Sequence, residues 1–146
     1  MRKDFRTLTG CCVAMIAALL VVGAVSHEVL RHIVQTSPLW IPTVLGIRRS
    51  ASTKWVAVPC FVFWLLLMTA IWLYLLGWAQ IVSGTFSPTE IAMTLVVGLA
   101  SIAGIIKAVG MSSGVRAWSA LVTVLLVAVF QVAVVRLSFL PQIAHR

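Results

Sequence analysis

Acidic side chains are nearly missing from this chain: Asp4, Glu28 and Glu90 are the only three in 146 residues. Histidine is as scarce, with His27, His32 and His145, and the cysteines number three, Cys11, Cys12 and Cys60. These shortages remove whole classes of chemistry. An odd set of cysteines, two of them adjacent and all inside or beside apolar segments, is neither a disulfide framework nor a zinc spacing. They read as small packing residues. A haem held between helices needs histidines on two spans, and His145 sits in the tail. No nucleophile–base pair, glycine-rich phosphate loop or metal-ligand set is present. The expectation is a protein that is not an enzyme and carries no cofactor or metal.

Charge of either sign is sparse as well. Only 10% of residues are charged, against about 25% in soluble domains, and mean hydropathy is +1.11. The whole chain, not one segment, is adapted to lipid, and its length suits one bundle spanning 1–146. The net charge of +8 comes from basic residues clustered between apolar runs. That distribution fits anionic lipid headgroups and not nucleic acid.

The chain does have long apolar runs, and residues 55–78 are the clearest. They contain no charged residue in 24 positions and carry Trp55 and Trp78 at their ends. A helix of that length reaches roughly 35 Å, enough to cross a core of about 30 Å. The two tryptophans read as interface anchors. Ser87-Pro88-Thr89-Glu90 predicts a second helix start, with a capping serine, proline at the first position and glutamate completing a capping box. Further runs place helices near 9–34, 88–109 and 116–136. The first could instead be a signal peptide ending at Ala24-Val25-Ser26. An uncleaved helix is favoured because no helix breaker precedes Pro38.

Residues 36–54 differ in kind. Pro38 and Pro42 are four apart, so the ring of Pro42 would meet the Pro38 carbonyl in a continuous helix. The expectation is an irregular segment in the interface. The fold class is therefore an all-α integral membrane bundle of four transmembrane helices, with that segment between the first and second. Four crossings leave the basic residues evenly divided, and orientation stays open. A fifth crossing by 33–47 would split them eight inside to three outside. Against it, 15 residues with two prolines reach only about 22 Å. The loop 79–87 lacks Lys and Arg and is expected outside.

Three groups of residues are singled out. His27, Glu28, Arg31 and His32 form a polar cluster at the membrane edge. Its histidines are spaced i, i+5 and cannot share a metal on one helix face, so ion pairing of Glu28 with Arg31 or His32 is the simpler use. Ala100, Gly104 and Ala108 recur every four residues and form a small-residue stripe suited to close helix packing. Lys107 is expected to snorkel, and Gln131 to bond a neighbouring helix. The leading expectation is a small non-enzymatic protein of the cell (inner) membrane. It would act by helix–helix association, as a homo-oligomer or as an accessory subunit of a membrane complex. The alternative is a small transporter or channel with Glu28 as the candidate coupling carboxylate.

Overall fold

Four apolar stretches become helices because, in lipid, a backbone can satisfy its own hydrogen bonds only in that form or in a closed barrel. The computed structural model describes residues 2–80 and 84–144. It contains α1 (Arg2–Val25), α2 (Val29–Ile47), α3 (Thr53–Leu75), α4 (Pro88–Gly110), α5 (Ala117–Ser138) and the short α6 (Pro141–Ala144). Helices α1, α3, α4 and α5 are each long and apolar enough to cross a membrane, with mean hydropathy between 2.0 and 2.5. The chain is an all-α, multi-pass membrane protein.

The long helices run antiparallel in chain order and close into a ring, α1–α2–α5–α3–α4, with α2 and α3 also touching across it. Trp64, Phe61 and Met68 of α3 are buried with Leu8, Cys12 and Met15 of α1 to make the core. The start of α4 is as its residues predict. Ser87 Oγ accepts from Glu90 N at 3.3 Å, and Glu90 Oε2 accepts from Ser87 N at 2.7 Å.

The first half departs from expectation in two places. The first helix stops at Val25 and does not run on to residue 34. Its end is a reversal in which Glu28 N donates back to the Gly23 carbonyl at 2.9 Å, with His27 in the left-handed region at φ 59°. That turn normally advertises itself with glycine; here histidine adopts it, so no breaker was visible.

The second departure is larger. Most of the segment expected to be irregular is the continuous helix α2, with Pro38 and Pro42 inside it. Pro42 lacks the N–H that would bond the Pro38 carbonyl, and the Cys60 thiol of α3 approaches that oxygen at 4.0 Å. Thr36 and Thr43 add side-chain bonds to the carbonyls of Ile33 and Leu39, at 2.9 and 2.7 Å. The neighbouring helix thus attends to the carbonyl that Pro42 frees, one way in which prolines survive in apolar helices. The helix ends in a second left-handed reversal without glycine, at Arg49 with φ 55°. There Arg49 N and Ser50 N donate to the carbonyls of Gly46 and Leu45.

Helix α2 lies along α1 for its whole length. A Cβ on Gly23 would come within 2.8 Å of His32 Cβ, and one on Gly46 would collide with Thr9 Oγ1. Its inward side carries Gln35, Thr36 and Thr43 with Pro38, Leu39 and Pro42, while Ile33, Trp40, Ile41, Val44 and Ile47 are exposed.

Candidate functional site: a recess at the Glu28 end of the bundle

Antiparallel packing brings the 26–28 turn, residues 84–87 and the end of α5 to one end of the ring. Between them opens a cavity of about 430 Å³. Its rim carries Glu28, Arg31, His32, Gln35 and Glu90, and its floor is Trp64, Met68, Ile71 and Val97. Each rim side chain is held by a local reason. Glu28 and Arg31 are three apart at the start of α2 and pair at 2.5 Å. The Arg31 guanidinium also lies over the Phe139 ring, 4.1 Å from its centroid. His32 Nδ1 is 3.1 Å from the Glu28 carbonyl. Gln35 Nε2 donates to Ser138 Oγ of α5 at 2.9 Å.

Of the predicted membrane-edge cluster, Glu28, Arg31 and His32 line this cavity. His27 stands in the turn and is exposed. The stripe lies elsewhere on α4. Gly104 faces α3, where an added Cβ would meet the buried Phe61 ring, 2.6 Å from Cζ. Ala108 is fully buried and Ala100 packs against the same core. Trp55 and Trp78 lie at opposite ends of α3. Trp55 Nε1 donates to Ser113 Oγ at 2.9 Å, and Trp78 is exposed just past the helix. Lys107, expected to snorkel freely, pairs with Asp4 of α1 at 2.7 Å. Gln131 is fully buried, and neither amide atom meets a partner among the described residues. His145 and positions 81–83 of the 79–87 loop lie outside the described residues.

Sequence reasoning missed three members of the site. Glu90 was assigned to capping alone, yet it also lines the cavity. Ser138, which fixes Gln35, is 103 residues away in the chain and gave no local signal. Trp64 is 2% exposed with its indole N–H unpartnered among the described residues. Within an aromatic run, nothing marked it out from its neighbours. Among the described residues no group of three or more His, Cys, Asp or Glu is placed to hold a metal ion. Comparison with protein-family models, curated proteins and solved structures finds no match for the chain.

Proposed function

We infer that this is a small non-enzymatic membrane protein that binds an amphiphilic molecule in the cavity at the Glu28 end. One observation carries the reading: a charged rim and an apolar floor share one volume of about 430 Å³. That size is within the range of small-molecule sites, and such sites combine apolar walls with a few placed polar groups.

In this reading α2 is a fifth crossing. It has 19 residues, roughly 28 Å of helix, and its exposed side is largely apolar while Gln35, Thr36 and Thr43 are turned inward. Five crossings gather Arg2, Lys3, Arg6, Arg48, Arg49, Lys54, Lys107 and Arg116 on one side. Arg31 and Arg136 fall on the other, with Arg146 beyond them in the chain. The positive-inside rule then puts the basic end in the cytoplasm, against anionic lipid, and opens the cavity to the outside of the cell (inner) membrane.

A small transporter or channel is the second reading, and the presence of Glu28 on the cavity rim favours it. Association as a homo-oligomer or accessory subunit loses the support of the stripe, whose contacts are within the chain. It would have to use the lipid-facing side of α5, where Leu125, Leu126 and Val129 are exposed.

The test is mass spectrometry of small molecules retained by the protein purified in mild detergent. A variant with its cavity filled, Thr94→Phe, is the control. Enrichment of an amphiphile on the wild type alone is expected. Equal retention by both would sink the reading.

A further inference from the structure

We propose that the ligand of this cavity carries a positively charged amine, with Glu90 as its counter-charge; the proposal rests on the cavity being a binding site. The chain has three carboxylate side chains, and two are already matched: Asp4 by Lys107 and Glu28 by Arg31. Glu90 differs. Its Oε2 accepts from the neutral backbone N–H of Ser87, and no basic side chain among the described residues pairs with it. Arg31 pairs with Glu28 and stacks on Phe139, while its buried Nε has no partner among the described residues. The rim therefore presents one uncompensated negative charge.

The neutral groups point the same way. A carbonyl only accepts, so His32 Nδ1 carries the proton toward the Glu28 carbonyl and Nε2 remains an acceptor. Gln35 gives its amide N–H to Ser138, which leaves its carbonyl oxygen. These two acceptors, with the carboxylate of Glu90, suit a donor, and an ammonium group is donor and cation together. The walls add Phe86, Met68 and Met93; aromatic faces attract cations and thioethers adapt to irregular apolar bodies.

An amine head set against Glu90 leaves the apolar floor of Trp64, Met68, Ile71 and Val97 for the rest of the molecule. Two sources share that headgroup chemistry, an amine-headed membrane lipid and a free lipophilic amine.

Glu90→Gln isolates the charge. Glutamine also completes a capping box, so the start of α4 keeps its bonds while the rim becomes neutral. Full-length protein in phosphatidylcholine nanodiscs would be titrated calorimetrically with decylamine and with decanol. The wild type should bind decylamine at least about tenfold more tightly than decanol, and Glu90→Gln should remove most of that ratio. Adding phosphatidylethanolamine to the discs weakens decylamine binding if the lipid is the natural occupant. If a free amine is, the affinity stays unchanged; either result supports the amine class. Equal binding of decylamine and decanol, unaltered by Glu90→Gln, would overturn the amine while leaving the cavity as a site. Saturable binding of neither would overturn both.

Discussion

The two ends of the bundle handle their polar groups in opposite ways. At the basic end they meet one another across the ring. Lys54 Nζ donates to the Met111 carbonyl at 2.6 Å and stands 4.6 Å from the Trp55 ring centroid. Ser113 Oγ accepts from Trp55 Nε1 and donates to the Ala51 carbonyl at 3.2 Å. Asp4 and Lys107 join α1 to α4. At the other end the principal bond between helices is Gln35 to Ser138, and the charged pair Glu28–Arg31 stays on one helix. Short connectors draw the basic end together. The far end stays recessed, with no basic side chain paired to Glu90 and no partner for the Trp64 N–H among the described residues. The basic end is tied by bonds between helices, though a second cavity lies there between α1 and α2, where Thr9 Oγ1 has no partner among the described residues.

The comparison is most exposed to an all-or-none test of sidedness. In a chain with its three native cysteines replaced by alanine, Thr85→Cys should react with an impermeant thiol reagent on intact cells. Ala51→Cys should react only after permeabilisation. Labelling of both on intact cells would mean that α3, the helix between the two positions, does not cross, and the two ends would no longer lie on opposite faces.

Next in size is the packing between α3 and α4. Gly104→Leu drives a side chain into the buried Phe61 ring, and overpacking of this kind costs about 3 kcal/mol or more. Folded yield in mild detergent should collapse. Leu99→Ile, at an exposed position, should change stability by less than about 0.5 kcal/mol. If the two variants behave alike, the basic half is less tightly packed than its distances imply.

At the recessed end Glu28→Gln removes the charge paired with Arg31. The pair is partly exposed, so a loss of roughly 1 kcal/mol is expected, with assembly intact. Abolished transport at normal expression would instead promote Glu28 to a coupling group. The smallest effect belongs to Asp4→Asn at the basic end. Its pair with Lys107 is open to solvent, so thermal melting should be unchanged within error; a clear drop would show that this ion pair is a main fastening of that end.

Much of this protein was decided locally. A run of 24 uncharged residues has no option in lipid but a helix, and Ser87, Pro88 and Glu90 set the start of α4 within four positions. All-helical class, membrane setting and the four apolar helices follow from such local constraints. The course of residues 26–54 was not settled locally. His27 and Arg49 adopt left-handed turns that glycine would have announced, and they do so because the flanking helices have partners to fold back upon. Pro38 and Pro42 argue against a helix when read alone. Pro42 becomes tolerable when Cys60 of another helix attends to the carbonyl it frees. The cavity is tertiary in the same sense. Glu28, Trp64, Glu90 and Phe139 lie on four separate stretches of chain, and only antiparallel packing brings them to one end. Backbone hydrogen bonding and hydrophobic transfer act over a few residues and can be read in order. The partner of a freed carbonyl or an unmatched carboxylate depends on which helices become neighbours.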